Sequence, residues 1–448
     1  MKNEIQFIFP RHEKGGGTMF GILPSLGLES MAHYLEALFP DLKIRIFDEN
    51  ITDMQKILNE MPENGIVGIS LWYSNASRLN LFAKSAKEKG NRIVVGGPHA
   101  YGYCDLIAKN ENVDYVVRGD GEDAIRKIIL SSRVPGKSKI VEAERFNINN
   151  LPDIDFRHTE NVDEYAFRKN RGNATFSKCL LTTASIRGCV KATKQGRCSF
   201  CSIPYCKVVL QKPEKFWNQV KHFNSLYGIS NFFETGDVFS VGNYPIEIAA
   251  TKPSNIQINL GVHERVDGFS EKVYAKVAKR IGIKLVFLGV EHVNSEMLKN
   301  MSKGANYTKE VVKRKIRFLE KLEIKVAPAF IFGTPGESLE TAKENLAAIK
   351  EILLDFNNID YVTISQFYPH RGTSSFDMLL KNPDFLRTYR NKTGKDFKTD
   401  EEVDDAIFLR EFLSHFCKID PESLEKIIDE AKSNVRNILG ERIYQHIE

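Results

Sequence analysis

Short apolar runs of strand character alternate with amphipathic helical stretches along most of this chain, and that alternation commits it to a parallel-sheet α/β fold. In the first part the strand-like runs are IQFIFP (5–10), KIRIFD (43–48), IVGISL (66–71), RIVVGG (92–97) and DYVVRG (114–119). Helical patterns lie between and after them at 28–39, 54–61, 75–90, 103–110 and 122–130. This series predicts a doubly wound, Rossmann-like parallel sheet over residues 1–135. A polar, proline-punctuated connector at 136–178 reads as a linker. A second series starts at Cys179, with strands at 179–185, 231–235, 256–261, 284–289, 325–333 and 361–367 and helical patterns between them. It predicts a partial (β/α)6 barrel of the TIM type over 179–376, with a helical C-terminal cap at 377–448.

Composition narrows the class further. Hydrophobic residues make up 42% of the 448 and charged residues 27%, which is ordinary for a soluble globular protein. The length suggests about three domains. A net charge of +5 is spread out, with no Lys/Arg stripe interleaved with aromatics, so nucleic acid is not an expected partner. The start, MKNEIQFIFP, has no signal-peptide core, and no apolar run reaches the roughly 20 residues of a membrane span. A reducing, cytoplasmic setting with free thiols is expected.

Three of those thiols sit in one loop: Cys189, Cys198 and Cys201, in the run ASIRGCVKATKQGRCSFCSIP. Three close thiolates can hold three irons of a cubane cluster and leave the fourth iron open to a small molecule. Cys206 follows four residues after Cys201, and four thiolates could instead close a structural zinc site. A disulfide pair is a third option. The cysteines alone leave cluster and zinc equally open. Their place breaks the tie, because the loop follows the first barrel strand, and barrel chemistry sits at the C-terminal strand ends.

The strand ends of the first domain carry GGG (15–17), DEN (48–50), GGPH (96–99) and GDGE (119–122). Glycines there permit close backbone approach to a large, flat ligand, and equally serve tight βα turns.

Several motifs occur in an order that carries a resemblance. VVGGPHA (94–100) and VDYVVRGDGE (113–122) lie in the first domain. SIRGC…CSFCSIP, FLGVEHVNSEMLKNMSKG (287–304) and FIFGTPGES (330–338) lie in the second. Together they are similar to radical S-adenosylmethionine enzymes with an N-terminal cobalamin-binding-type domain, over roughly residues 5–375. The resemblance implies that Cys189, Cys198 and Cys201 ligate a 4Fe–4S cluster. It implies that S-adenosylmethionine is contacted by Phe200, Ile203, Glu234, Gly236, Glu264, Arg265 and Glu291. It implies cobalamin against Asp48, Ser70, Trp72, Gly96, Gly97, Gly119 and Glu122. Cys206 is a weak candidate for a catalytic thiol and more readily a small buried hydrophobe.

This sequence departs from the family pattern twice. The usual C-x3-C-x2-C is here C-x8-C-x2-C, and the added stretch brings Lys191, Lys194 and Arg197, which read as a solvated bulge. The cobalt-ligating D-x-H-x-x-G motif is replaced by Asp48-Glu49-Asn50-Ile51-Thr52-Asp53, which has no histidine. Cobalamin would then bind without a histidine on cobalt, with Trp72 and Tyr73 near its face or filling its place.

The implied reaction is reductive cleavage of S-adenosylmethionine to a 5′-deoxyadenosyl radical that attacks an unactivated C–H bond. With methylcobalamin, the expected outcome is methyl transfer to a small molecule or peptide. A radical rearrangement or cyclisation without cobalamin is the alternative, and a non-catalytic cobalamin- or zinc-binding module is a third. A flavodoxin- or ferredoxin-type electron donor is implied. An RNA-modifying methylthiotransferase is disfavoured, since Cys104 stands alone in the first domain. His370 and Arg371 in YPHRGTSSF are possible substrate contacts or ordinary turn residues.

Overall fold

A computed structural model describes residues 3–13, 23–131, 139–165, 181–203, 207–304, 307–398 and 405–440. The chain divides into two compact units, residues 1–185 with 209–232, and residues 186–208 with 233–448.

In the first unit, β1 (Glu4–Phe9), β2 (Lys43–Asp48), β3 (Ile66–Ser70), β4 (Arg92–Gly96), β5 (Tyr115–Arg118) and β6 (Ile140–Glu142) form one sheet. Its order is β2-β1-β3-β4-β5-β6, and every pair is parallel. The strand sequences explain why both faces are covered. Neighbouring residues of one strand point to opposite faces, and both are apolar. Ile8, Phe47, Val67 and Val95 join Phe82 and Tyr103 in one core, while Phe7, Ile44, Val94 and Val117 join Leu28, Leu35 and Ile125 in the other. Helices α1 (Leu26–Leu38) and α5 (Gly121–Leu130) supply the second layer, and α3 (Leu79–Glu88, numbered after the short α2, Met54–Asn59) and α4 (Pro98–Ile107) the first. The strand order reverses between β1 and β3, and ligands of doubly wound sheets bind at the strand ends beside such a switch.

Residues 139–165 do more than connect. β6 pairs with β5 through Val116↔Ile140, and Thr159 bridges Ile46 of β2. Both segments are too short and polar to show a strand period in the sequence.

The second sheet comprises β7 (Leu181–Thr183), β8 (Asn231–Glu234), β9 (Asn259–Arg265), β10 (Ile283–Glu291), β11 (Lys325–Phe332) and β12 (Thr363–Gln366). Its order is sequential, β12 through β7, and the pairs from β9 to β12 are parallel. The sheet is a curled, open half-barrel. Among the C-terminal helices, Leu413 and Leu424 lie over the end of β11, 3.2 and 3.0 Å from where a Cβ on Gly333 would stand. Phe385, Phe397 and Phe408 form the centre of that helical layer, with ring centroids 5.2–6.2 Å apart.

Gly97 shows how tightly the end of β4 is built. Its φ of +96° suits glycine, and a Cβ there would lie 2.5 Å from the Leu71 carbonyl oxygen. Gly97→Ala is expected to lower folding stability by about 2 kcal/mol or more, read as the urea midpoint. An unchanged midpoint would contradict this packing.

Candidate active site

The cysteine loop is held by its own backbone and by buried cations. Cys189 precedes a short helix, α6 (Val190–Gln195), that takes up the extra residues of the C-x8-C spacing. Lys194 is exposed, as a solvated bulge requires, but Lys191 is not. Lys191 is only 8% exposed, and its ammonium donates to the carbonyls of Gly196 (2.8 Å) and Ser302. An ammonium folded back on two carbonyls neutralises loop dipoles that would otherwise be buried unpaired. Cys201 N–H donates to the Cys198 carbonyl at 3.0 Å, making the C-x-x-C a tight turn. Asp237 accepts from Gly188 N–H at 2.7 Å and so anchors the backbone just before Cys189.

Burial pushes the Cys201 thiol up to about 11, and charge on Cys198, Asp237 and Cys189 adds to the shift. The three sulfurs therefore share one electrostatic neighbourhood. Among the described residues, however, they do not form a group converging within 4.8 Å. Three thiolates on one zinc, at Zn–S of about 2.3 Å, would stand about 3.8 Å apart. A cubane instead spreads its thiolates over three irons, which does not ask them to converge on one point. Cys206 lies outside the described residues.

Arg265, at the end of β9, connects this loop to the other strand ends. Its guanidinium lies 3.8 Å from Cys198 Sγ, donates to the Lys303 carbonyl at 2.8 Å, and makes a two-point pair with Asp267 at 3.0 and 3.1 Å. The Lys303 ammonium in turn pairs with Glu291 at the end of β10. Glu291 has a φ of +63°, in the left-handed region, where the β10–β11 register shifts. A non-glycine residue held there is strained, and such strain gathers at functional sites. Sequence reading named Arg265 and Glu291 but not Lys303, whose spacing from Glu291 follows no helical or strand period.

The pleat separates Arg265 from its neighbour. Successive strand residues face opposite ways. Arg265 turns to the cysteines, while Glu264 turns to the helix layer, accepting from Ser240 and Tyr274 hydroxyls at 2.6 Å each. Its second oxygen is buried with no hydrogen-bond partner among the described residues. Burial pushes the Glu264 carboxyl up to about 7, against the lowering effect of those two hydrogen bonds. His263, on the Arg265 face, lies between the rings of Phe233 and Phe287, and burial lowers it to about 4.

At the end of β8, Glu234 is fully buried and accepts from Gly236 N–H at 3.1 Å. Ile203 packs with Cys189, Ala192 and Val238, and Phe200 meets Phe367 edge-on at 6.2 Å. Glu337 of the GTPGE turn is a turn-holding carboxylate. It accepts from Gly333 and Thr334 N–H and faces His292 Nε2 at 3.1 Å. Arg371 is likewise structural, donating to the Phe397 carbonyl and lying over the Phe376 ring at 4.7 Å.

The other candidate residues lie in the sheet unit. Ser70, Gly96 and Gly119 stand at or just past the ends of β3, β4 and β5. A Cβ built on Gly96 would meet Val117 at an ordinary contact distance of 3.9 Å. Trp72, two residues past the end of β3, is 46% exposed and 6.3 Å from the His12 ring. Asp48 is engaged differently. It is buried, accepts from Tyr165 OH at 2.7 Å and from Asn50 at 2.8 and 2.6 Å, and burial raises its pKa. Glu122 is buried in the first turn of α5. The Asp48–Asp53 loop carries no histidine and the Asp48 oxygens are taken by Tyr165 and Asn50, so a corrin here would take no ligand from that loop. The GGG run at 15–17 lies outside the described residues.

The Glu264 shift has a testable sign. The folded state holds this proton more tightly than the unfolded chain between about pH 4.5 and 7. Its contribution to stability therefore falls as pH rises through that window and levels off above it. Glu264→Gln should flatten the urea midpoint across the window, removing a decline of about 3 kcal/mol. An unaltered pH profile would show that Glu264 titrates normally.

Comparison with known proteins agrees with this geometry. The B12 binding domain family matches residues 15–129, and the radical SAM superfamily matches residues 185–349. A protein of Methanocaldococcus jannaschii whose name carries a provisional assignment as a methylthiotransferase is 25% identical over 323 residues, 67% of this chain and 66% of the relative. The bacteriochlorophyllide d C-12(1)-methyltransferase of Chlorobaculum tepidum is 22% identical over 320 residues, 70% of this chain and 65% of the relative. The chain thus spans just under two thirds of the length of these relatives. TsrM of Kitasatospora setae, a radical S-adenosylmethionine methyltransferase solved with cobalamin and a 4Fe–4S cluster, shares the fold at a TM-score of 0.67. Its sequence identity is 15%, over 97% of this chain and 91% of that one. A radical SAM domain implies a 4Fe–4S cluster and S-adenosylmethionine, and a B12 binding domain implies cobalamin. The open half-barrel, the three-cysteine loop at its strand ends and the two domain matches in this order make the chain a radical SAM enzyme with an N-terminal B12 binding domain.

Proposed function

We propose that this enzyme transfers a methyl group to an unactivated carbon of a small-molecule or peptide substrate. The observation that carries the reading is a B12 binding domain match in one chain with a radical SAM match that contains the three-cysteine loop. The names of the Chlorobaculum relative and of TsrM, both methyltransferases, support it. Bound here, a 4Fe–4S cluster with an open iron supplies an electron for cleaving S-adenosylmethionine, and a corrin supplies a methyl carrier.

In this reading Cys189, Cys198 and Cys201 hold the cluster, and Arg265 keeps a positive charge beside Cys198. Glu234 and Gly236 end the strand where the ammonium of S-adenosylmethionine is held. Phe200 and Ile203 offer an apolar edge to its adenine. Glu291, already paired with Lys303, orients the next strand end. Glu264 faces the helix layer, so its part is to support β9, leaving Arg265 as the ligand contact of the pair. A flavodoxin- or ferredoxin-type protein provides the electron. Among the described residues no helix is long and apolar enough to cross a membrane.

Two results test this. Cys198→Ala, reconstituted anaerobically, is expected to lose most of its iron and sulfide and all 5′-deoxyadenosine production while keeping its far-ultraviolet spectrum. Full iron in that variant would sink the cluster assignment. Wild-type protein titrated with cobalamin and desalted is expected to keep about one corrin per chain and to form S-adenosylhomocysteine only when the corrin is present. Intact iron–sulfur absorbance with no retained corrin would overturn methyl transfer and leave cobalamin-free radical chemistry.

A further inference from the structure

A second cluster of ligating side chains lies in the sheet unit, built from α1 and the segment after β6. Glu29 and His33 are one turn apart on α1 and share a face. His158 is brought to them by the pairing of its segment with β2, where Ile46 N–H donates to the His158 carbonyl at 2.8 Å. The ligating atoms of Glu29, His33 and His158 all lie within 4.8 Å of one another, and all three residues are buried. Glu29 Oε2 is 3.5 Å from His33 Nδ1 and 3.1 Å from His158 Nδ1. A tetrahedral ion with metal–ligand distances of about 2.0–2.1 Å sets its ligand atoms about 3.3 Å apart, and these two separations bracket that edge.

The opposite ring nitrogens make the stronger case. His33 Nε2 lies 3.2 Å from Asp155 Oδ1, and His158 Nε2 lies 3.6 Å from Glu36 Oε1. Each imidazole thus points Nδ1 at one shared point and Nε2 at its own carboxylate. Metal-bound histidines are oriented and made more basic in just this way. Thr159 Oγ1 donates to Glu29 Oε1 at 2.5 Å, which leaves Oε2 for the shared point. His33 Nδ1 is also 3.0 Å from the Glu29 carbonyl, which keeps its own helical partner if that contact is given up. Asp155 N–H likewise reaches His33 Nε2 at 3.2 Å, and His222 Nε2 faces Asp155 Oδ2 at 3.9 Å.

Charge points the same way. Glu29 is fully buried and, among the described residues, has no lysine or arginine in its ion pairs. Arg157 is shared between Asp155 and Glu36. With neutral imidazoles the cluster keeps an excess of negative charge, which is costly where Glu29 sits. Two imidazolium protons would offset it, but the two rings stand edge to face at 4.6 Å and would repel. One dication at the shared point replaces both protons and removes that repulsion.

We infer that Glu29, His33 and His158 hold one divalent transition-metal ion of the zinc class, which clamps α1 to the segment running beside β2. None of its residues is among those assigned above to the cluster, S-adenosylmethionine or cobalamin, and all lie in the first unit.

Cobalt(II) is the probe. Full-length protein carrying Cys189→Ala, Cys198→Ala and Cys201→Ala is stripped with chelator and titrated with Co²⁺ alone. The expected result is about one equivalent bound, with the visible d–d bands of nitrogen and oxygen ligands and no thiolate charge-transfer band. His158→Gln should abolish the bands in folded protein. Of the three ligands Glu36 touches only His158, at its far nitrogen, and it also pairs with Arg157. Glu36→Gln should weaken Co²⁺ binding about tenfold, a shift that a purely structural hydrogen bond would not cause. Folded protein that takes up no cobalt, or equal uptake by wild type, His33→Gln and His158→Gln, would overturn the site and leave a proton-shared network. Bands dominated by thiolate charge transfer would do the same by placing the ion on cysteine.

Discussion

The strand ends around the three cysteines depend on one desolvated cation. Arg265 reaches toward Cys198, grips Asp267 with two nitrogens and donates to the Lys303 carbonyl, so a single guanidinium joins the cysteine loop, the end of β9 and the loop after β10. A planar donor with five N–H groups can serve three partners at fixed angles, which an ammonium cannot. Lys303 then carries the connection to Glu291, whose left-handed backbone is tolerated because the ion pair holds it. The strand ends thus behave as one polar network around the thiols instead of as separate loops.

The long C-x8-C insert fits the same logic. Closing a longer loop costs little entropy, so the added residues need only a way to satisfy their polar groups. Lys191 provides it by folding inward onto two carbonyls, one within the insert and one in the loop after β10. What reads in the sequence as surface charge is an internal strut. A lysine in a short polar run carries no periodic signal that distinguishes the two outcomes.

Much of the site was legible, and its gaps have physical causes. Cys189, Cys198 and Cys201 stood out because chemistry demands thiolates at short spacing, while Glu234, Arg265 and Glu291 were named through the family resemblance, and the structure places all three at strand ends. Glu264 was placed beside Arg265 by sequence adjacency, but the period-two pleat sends adjacent residues to opposite faces, and this one went to the helix layer. Asp48 stood at a strand end as expected, yet its oxygens are taken by Tyr165 and Asn50. Tyr165 lies 117 residues away, and a contact of that range leaves no trace in local pattern.

By itself the sequence determined the two α/β tracts, because β-branched apolar runs alternating with amphipathic helices have few ways to bury both faces of a sheet. It also determined the three-thiol loop and its position after a strand. Tertiary structure alone decided which face each strand-end residue serves, that residues 139–165 add to the first sheet, and that His158 comes to Glu29 and His33. These depend on strand register and on contacts across more than a hundred residues, and local propensity carries information about neither.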